Sequence, residues 1–262
     1  MSYFGFLARF VFVPILVLLV ITWRDQRRGL VVRQFQQGLV WRAIGIHIAL
    51  ALIYTTPWDN YLVATGVWSY NPQLVSGIVF GWVPLEEYTF FVVETLLGGL
   101  WWLFLARRLS GPAIFKPSGT GRLLASGSLF VVWLCFSLLF FGSWKAGTYL
   151  SITLFWALPA IFPQFLFGAD ILWHYRKLVF WAIFPAGLYL SLTDIVALKA
   201  TTWAISAAQT TGLNFFGVLP LEEVLFFFIT NILVAFGLTL TLSNLSRQRL
   251  SAWQQRSYKG LP

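Results

Sequence analysis

The chain has 262 residues, of which 58% are hydrophobic and only 10% are charged, and its formal net charge is +9. Its mean hydropathy is +0.76. These values exclude an ordinary soluble domain and are typical of an integral membrane protein. The single cysteine, Cys135, excludes an intrachain disulfide.

Seven apolar stretches along the chain are long enough to cross a bilayer, which takes about 20 residues in a helix. Strands of a membrane barrel would not give runs of this length. The sequence therefore predicts an all-α integral membrane protein with seven transmembrane helices. Helices 1 to 7 are predicted over Tyr3 to Trp23, Leu39 to Thr56, Val83 to Leu105, Leu123 to Phe141, Tyr149 to Phe167, Leu178 to Leu198, and Leu219 to Leu242.

Basic residues gather in alternate loops, and the remaining loops hold only Lys145 and Lys199. Because cytoplasmic loops collect Lys and Arg, the pattern predicts an N-terminus outside and a C-terminus in the cytoplasm of a multi-pass cell-membrane protein. Topology and contact with anionic lipid then explain the net charge, and no nucleic-acid partner is expected. Arg9 lies inside predicted helix 1 and has no assigned role. The loop and tail residues are Arg24, Arg27, Arg28, Arg33, Arg107, Arg108, Lys116, Arg122, Arg176, Lys177, Arg247, Arg249, Arg256 and Lys259.

A twelve-residue segment occurs twice, as FGWVPLEEYTFF from Phe80 and as FGVLPLEEVLFF from Phe216, with eight identical positions. Asp59 and Trp68 precede the first copy and are nine residues apart, and the same spacing recurs before the second copy at Asp194 and Trp203. Helices 1 to 3 thus correspond to helices 5 to 7, with helix 4 as the connector.

Corresponding helices are four apart in the chain, so the two three-helix repeats are predicted to run parallel about an axis along the membrane normal, unlike inverted transporter repeats. The expected units are a first repeat over residues 1–108, a linker with helix 4 over 109–145, a second repeat over 146–243 and a basic cytoplasmic tail over 244–262. The two motifs should then face each other across one bundle.

The motif contains four of the nine acidic residues of the chain, namely Glu86, Glu87, Glu222 and Glu223. Carboxylates inside apolar spans are expensive and often functional. Topology gathers them with Asp59 and Asp194 at the outer side, behind prolines expected in the first helical turns. A simpler interpretation is that the glutamates complement helix dipoles, but the double occurrence makes it less favoured.

Helical spacing places Glu87, Phe91 and Glu94 on one face of helix 3, and Glu86 with Phe90 on another. The matching face of helix 7 carries Glu223, Phe227 and Thr230, with Asn231 beside it. Glu94 lies about 10 Å deeper than Glu87, at 1.5 Å per residue. We therefore expect Glu94 to act as a proton donor or a hydrogen-bonding group.

Several function classes lack the residues they need. Helix 7 has no lysine for a retinal Schiff base, and the motif lacks the arginine of a Glu-Glu intramembrane protease. His47 and His174 lie toward the expected cytoplasmic side, so no metal site is predicted, and the aspartates stand singly, unlike those of a prenyltransferase. No G-x-G-x-x-G turn indicates a dinucleotide, so no cofactor is evident, although the sequence leaves a need for reduced flavin or NAD(P)H open.

A dry, aromatic cavity with clustered carboxylates suits proton-initiated chemistry on a hydrocarbon. A protonated carboxyl could add H⁺ to a terminal alkene, and aromatic rings could stabilise the carbocation while water is kept out. The residues expected to contact substrate or stabilise the cation are Phe90, Phe91, Phe226, Phe227, Trp68, Trp203, Glu94 and Asn231.

Two Pro-x-Glu-Glu-x-x-Phe-Phe helices, each preceded by Asp and Trp, resemble the lycopene cyclase family of actinobacteria, archaea and fungi, in which two small membrane domains occur as a heterodimer or fused. The likeness covers nearly the whole chain, in the fused form. It implies an intramolecular lyase or isomerase that cyclises the linear ψ-ends of lycopene to ionone rings, commonly β-rings. Glu94 departs from the family pattern, where a neutral polar residue is typical. The implied catalytic residues are Glu86, Glu222, Glu87, Glu223, Asp59 and Asp194.

Within that resemblance, Glu86 and Glu222 are the favoured leading residues, one carboxyl adding a proton and another removing one. The expected partners are lycopene or a related linear carotenoid, membrane lipid and other enzymes of carotenoid synthesis. Two alternatives remain open: a proton- or cation-coupled transporter, whose carboxylates would relay ions, and a cyclase or hydratase of another terpenoid.

Overall fold

The computed structural model describes residues 1–142 and 144–259, and this part of the chain is predominantly helical. Seven of its helices are long and apolar enough to cross a membrane, as the sequence predicted for a membrane protein. They are α1 (Tyr3–Arg27), α2 (Gln37–Ala64), α3 (Leu85–Ala106), α4 (Gly119–Phe141), α5 (Lys145–His174), α6 (Arg176–Lys199) and α7 (Leu221–Leu242). A further helix, α8, spans Asn244–Lys259.

The predicted end of helix 2 at Thr56 was wrong, because α2 continues through Pro57 to Ala64. The prediction stopped where the apolar run met Asp59 and Asn60. Both side chains belong inside the protein, however: Asp59 is fully buried, and the Asn60 amide donates to the Thr56 carbonyl oxygen at 2.9 Å. A proline within a spanning helix is tolerated where neighbouring polar side chains bond to the backbone.

Three two-stranded antiparallel ladders lie between the helices at one end of the described structure. We call this end the motif end. The strands are β1 (Trp68–Tyr70), β2 (Val79–Phe80), β3 (Val83–Pro84), β4 (Trp203–Ile205), β5 (Asn214–Phe215) and β6 (Leu219–Pro220). β2 pairs with β3, β5 pairs with β6, and β1 pairs with β4.

The motif prolines, Pro84 and Pro220, were predicted in the first helical turn but lie in the extended strands β3 and β6, directly before the helices. The hairpin before each helix explains this difference, since its second strand includes the proline and the helix begins at the next residue. The Phe-Gly of the motif forms the turn: Gly81 has φ +66° and Gly217 has φ +70°. Glycine tolerates this left-handed region without steric cost.

The contacts of α1 to α3, here called the first half, correspond to those of α5 to α7, the second half. α2 packs on α3 as α6 packs on α7, and α1 packs on α3 as α5 packs on α7. α3 and α7 also contact each other, and each contacts the second helix of the opposite half. α3 and α7 therefore form the centre of the bundle, while α4 packs on α5.

The opposite end of the bundle is fastened by two carboxylate–arginine pairs. Asp25, in the last turn of α1, accepts two hydrogen bonds of 2.8 Å from Arg108. Asp170 of α5 accepts bonds of 2.9 and 2.7 Å from Arg249 of α8. Bidentate pairs of this kind fix geometry as well as charge. Both of these carboxylates are therefore engaged far from the motif.

Arg9 lies in a π-helical segment of α1, Ala8–Phe12. Its guanidinium donates to the sulfur of Met1 at 2.8 Å. π-helical turns inside α-helices often occur near functional sites, and this one follows the first buried turn of α1, which carries Tyr3.

Candidate active site

Three of the predicted carboxylates, Glu87, Asp194 and Glu223, line one small cavity at the motif end. The cavity lies between α1, α3, α6 and α7 and has a volume of about 30 Å³, which is room for about one water molecule. All three side chains are buried. The structure thus brings both motif copies together around one space, which we call the carboxylate cavity.

Glu87 is held by two tyrosine hydroxyls. Tyr3 of α1 donates to its Oε2 atom at 2.5 Å, and Tyr70 of β1 donates to the same atom at 3.0 Å. Burial raises the pKa of Tyr70 well above its ordinary value, and a charge on Glu87 would raise that pKa further. Tyr70 therefore remains a hydroxyl donor at neutral pH.

Glu223 has a corresponding but different pair of donors. The Trp68 indole N–H donates to its Oε1 atom at 3.0 Å, and the Tyr149 hydroxyl donates to the same oxygen at 2.8 Å. Among the described residues, none bonds to the second oxygen of Glu87 or of Glu223. One oxygen of each glutamate is therefore left for whatever enters the carboxylate cavity.

The two predicted aspartates are both buried, but their surroundings differ. Asp194 accepts a hydrogen bond of 2.9 Å from the Trp203 indole N–H and lines the carboxylate cavity. Asp59 is fully buried and, among the described residues, has no hydrogen-bond partner for either oxygen. Each buried polar group of this kind calls for a ligand, a water or a proton.

Glu86 and Glu222, the favoured leading residues, are buried but do not line either cavity next to the site. Glu86 accepts a hydrogen bond of 2.5 Å from the Ser76 backbone N–H and one of 3.1 Å from the Ser76 hydroxyl. Glu222 accepts one of 2.7 Å from the Thr211 backbone N–H. Both carboxylates are thus attached to the loop that precedes their own hairpin.

Glu94 lines a second, larger cavity of about 250 Å³ between α2, α3, α5 and α7. Thr230, on α7, donates to its Oε1 atom at 2.7 Å, and Asn231 lines the same cavity. The helical spacing grouped Glu87 with Phe91 and Glu94, but the structure divides them. Phe91 and Glu94 line the larger cavity, whereas Glu87 lines the carboxylate cavity with Phe90 and Phe227.

An aromatic wall separates the two cavities. Phe226 lines both of them, and Trp58 stacks on its ring at 5.3 Å and on Trp156 at 4.5 Å. Trp68 meets Phe226 edge-on at 5.7 Å. Trp203 packs against Tyr3 at 4.8 Å on the far side of the carboxylate cavity. All of the predicted aromatic residues therefore lie at one or both cavities.

Sequence reasoning missed the tyrosines that hold the glutamates. Ser2-Tyr3 begins α1 and Thr148-Tyr149 begins the regular part of α5, so a hydroxyl residue followed by Tyr at both helix starts was a usable signal. Trp58 was missed as well. It precedes Asp59 but has no aromatic counterpart before Asp194, where Thr193 stands.

Comparison with known proteins identifies relatives of the chain. The chain is 36% identical over 206 residues to the lycopene beta-cyclase of Halobacterium salinarum, a match that covers 79% of this chain and 84% of the relative. The chain belongs to the lycopene cyclase family.

The chain is also similar to fungal proteins whose names include phytoene synthase besides lycopene cyclase. The bifunctional lycopene cyclase/phytoene synthase of Podospora anserina is 32% identical over 204 residues, which is 75% of this chain and 34% of that protein. The protein of the same name from Aspergillus oryzae is 30% identical over 205 residues, 78% of this chain and 35% of that protein. No protein-family model matches the chain, and no solved structure matches it significantly.

Proposed function

We propose that this protein is a multi-pass lycopene cyclase of the cell membrane that converts the linear ψ-ends of lycopene to β-ionone rings in carotenoid synthesis. The observation that carries the proposal is the carboxylate cavity, in which glutamates from both motif copies meet behind an aromatic wall. A family member with this site is suited to acid–base chemistry on a hydrocarbon. It is therefore an intramolecular lyase or isomerase.

The reaction is redox-neutral and needs one acid and one base for each ring. A carboxylic acid donates H⁺ to the terminal double bond, which leaves a tertiary carbocation. The next double bond in reach attacks that cation, so a carbon–carbon bond closes the six-membered ring and the positive charge moves to a ring carbon. A carboxylate then removes a proton from the adjacent ring carbon to form the ring double bond. The molecular formula does not change.

Glu87 and Glu223 are the residues that we assign to acid and base, with Asp194 as the third carboxyl group of the cavity. Each glutamate has one oxygen engaged by two donors and one oxygen left for the cavity. A positioned carboxyl group of this kind contributes about 10²- to 10⁴-fold to a proton-transfer step. Glu86 and Glu222 act instead as positioning residues, through the loops that they hold.

Aromatic rings surround the space in which the cation would form. Phe90, Phe226 and Phe227 line the carboxylate cavity with Trp68 and Trp203, and ring faces attract cations by about 0.5 to 2 kcal/mol each. The cavity has room for about one water molecule, so the ring end must move aromatic side chains as it enters. Exclusion of bulk water would protect the cation from capture as an alcohol.

The internal repeat supports one shared site. β1 and β4 pair with Ser69 opposite Ala204, and these two residues are equivalent at the repeat offset of 135. A local two-fold axis along the membrane normal would pass through this pair. We also propose the outside N-terminus, the cytoplasmic C-terminus and the unit boundaries at residues 1–108, 109–145, 146–243 and 244–262. Membrane lipid and other enzymes of carotenoid synthesis are the proposed partners.

Production of the protein in cells that accumulate lycopene, followed by pigment analysis, tests this function. We expect monocyclic or bicyclic carotenoids, and we expect Glu87→Gln protein at equal abundance to leave lycopene unchanged. Unchanged lycopene with abundant wild-type protein would contradict the proposal. Parallel cultures that accumulate other linear polyenes distinguish a lycopene cyclase from a cyclase or hydratase of another terpenoid.

A further inference from the structure

The larger cavity beside the carboxylates does not end at Glu94. A third cavity, of about 680 Å³, continues toward the opposite end of the bundle. It shares His47, Leu50 and Gln164 with the cavity of about 250 Å³ that Glu94 and Phe226 line. The two cavities therefore lie next to each other between α2, α5 and α7, and together we call them the chain groove.

The dimensions and lining of the chain groove fit an extended hydrocarbon. Along α7 it runs from Phe226 to Thr241, which is about 22 Å at 1.5 Å per residue. Most of the side chains that line it are apolar. Of the described lining residues, Glu94 carries an acidic group at the inner end and Arg247 a basic group at the outer end, and the other ionisable groups are the His47 imidazole and the Tyr54 phenol.

The corresponding place in the other half is filled. Gly237 of α7 lines the chain groove, and its lack of a side chain lets the His47 ring approach, since a Cβ atom there would lie 2.1 Å from Nε2. The equivalent of Gly237 in α3 is Trp101, at the repeat offset of 136. The Trp101 indole N–H donates to the Trp181 carbonyl oxygen of α6 at 2.9 Å. A bulky side chain thus stands between α3 and α6 where α7 has none.

Two further differences place apolar side chains between α1 and α6 where the chain groove has polar ones. His47 of α2 corresponds to the buried Ala182 of α6, and Gln164 of α5 corresponds to the buried Leu18 of α1. The same tyrosine contact nevertheless occurs at both places: Tyr54 of α2 donates to the Trp156 carbonyl oxygen of α5 at 2.6 Å, and Tyr189 of α6 donates to the Phe10 carbonyl oxygen of α1 at 2.9 Å. The two halves therefore share the helix packing but differ in the lining beside it.

We propose that the chain groove binds the unreacted length of the linear polyene while one end reacts at the carboxylates, so that both ends react in turn through this one groove. This inference rests on the proposed cyclase function. Its consequence is that a substrate with two linear ends must leave the groove, reverse and enter again before the second ring forms.

The first test blocks the groove without touching the carboxylates. Ala160 lines its inner part, so Ala160→Trp fills open space rather than packed atoms. We expect the rate of lycopene conversion to fall about tenfold or more, because misplaced substrate loses the benefit of orientation. The matched control is Gly127→Trp on α4, where a Cβ atom meets nothing within 4 Å, and it should retain the wild-type rate.

A binding measurement separates failure of this inference from failure of the cyclase function. Glu87→Gln protein, purified from lycopene-accumulating cells, should carry bound lycopene. Adding Ala160→Trp should remove most of that pigment, and adding Gly127→Trp should not. Equal pigment in both double variants would overturn the groove while leaving the cyclase function intact. Wild-type protein that never cyclises lycopene would instead overturn the function itself.

The order of ring formation gives an independent readout on unmodified protein. With lycopene in excess, a free monocyclic carotenoid should appear before any bicyclic product, because each ring requires a separate entry. Bicyclic product that forms from the start, with no free monocyclic carotenoid at any time, would overturn the single groove.

Discussion

The two copies of the repeated motif fold alike but hold their second glutamates differently. Each copy forms a hairpin, an extended proline and a helix start with a buried Glu-Glu pair. Glu87 is held by Tyr3 and Tyr70, both from its own half. Glu223 is held by Tyr149 of its own half and by Trp68, which reaches over from the first half.

The difference can be traced to single positions. Tyr3 and Tyr149 start equivalent helices and make equivalent hydrogen bonds. Tyr70, however, corresponds to Ile205, which has no hydroxyl to donate. The two copies thus share their backbone course but differ in the donors to Glu87 and Glu223, and different surroundings are what an acid and a base of one site require.

Neutralising Glu87 and Glu223 in turn should have the largest effect of the changes considered. We expect Glu87→Gln and Glu223→Gln each to lower formation of both rings by about 100-fold or more, since each removes one member of an acid–base pair. The double variant should lose little further activity, because residues that act as a unit are not additive. Pigment analysis of the three variants gives the answer.

If each motif copy served one end of the substrate, a single variant would accumulate monocyclic carotenoid at near wild-type rates. That result would contradict the shared cavity.

Removal of the equivalent tyrosine hydroxyls should have an intermediate effect. Tyr3→Phe and Tyr149→Phe each delete one donor to a buried carboxyl group, a bond worth about 1.5 to 3 kcal/mol, so rates should fall about tenfold or more. Initial rates of ring formation in liposomes measure this. Tyr61→Phe, at a 41% exposed tyrosine of α2, is the control and should have no effect. Loss in only one of the two tyrosine variants would show that the halves contribute unequally here too.

Loss of the Tyr70 hydroxyl, which has no counterpart at Ile205, should lower the rate of ring formation less than loss of the Tyr3 or Tyr149 hydroxyl. Tyr70→Phe makes the first copy more like the second, and Tyr3 still donates to Glu87. We expect a decrease of about threefold in rate, which corresponds to a hydrogen bond of modest net value. The same liposome assay, with Ile205→Val as a matched change on β4, measures it. A loss as large as that of Glu87→Gln would mean that Tyr70 itself contacts the substrate.

The first glutamates of the two pairs should affect stability more than chemistry. Glu86→Gln and Glu222→Gln weaken the bonds to Ser76 and Thr211, and each should cost about 1 to 3 kcal/mol of stability. Thermal unfolding in detergent and turnover of the surviving protein measure the two effects separately. A folded Glu86→Gln protein with turnover as low as that of Glu87→Gln would return Glu86 to the catalytic pair.

Much of this site could be predicted because it depends on simple features of sequence. The seven apolar runs predicted the spanning helices. The repeated motif, with Glu-Glu followed by Phe-Phe, indicated the carboxylates and the phenylalanines that lie near one another, and it carried the resemblance to the family. The choice between Glu86 and Glu87 could not be predicted, since adjacent residues in a first helical turn point about 100° apart and the loop decides which one faces the cavity. The loop partner Ser76 lies ten residues before Glu86 without any recognisable pattern.

Contacts between distant parts of the chain were also beyond sequence reasoning. The bond from Trp68 to Glu223 joins residues 155 positions apart, and it depends on the pairing of β1 with β4. In the lining of the chain groove, the His47 ring occupies the space that a side chain at position 237 would need, and this contact between α2 and α7 appears only in the packed structure. Periodicity identifies which residues share a helix face, but not which neighbouring helix that face meets.

Proton addition from a carboxyl group of the protein can be followed with deuterium. Protein equilibrated in D₂O and mixed with lycopene in a single turnover should yield product with one deuterium for each ring, at the ring carbon that was protonated, because an exchangeable acid starts the reaction. Rings formed in D₂O without any deuterium would contradict proton-initiated cyclisation at Glu87 and Glu223.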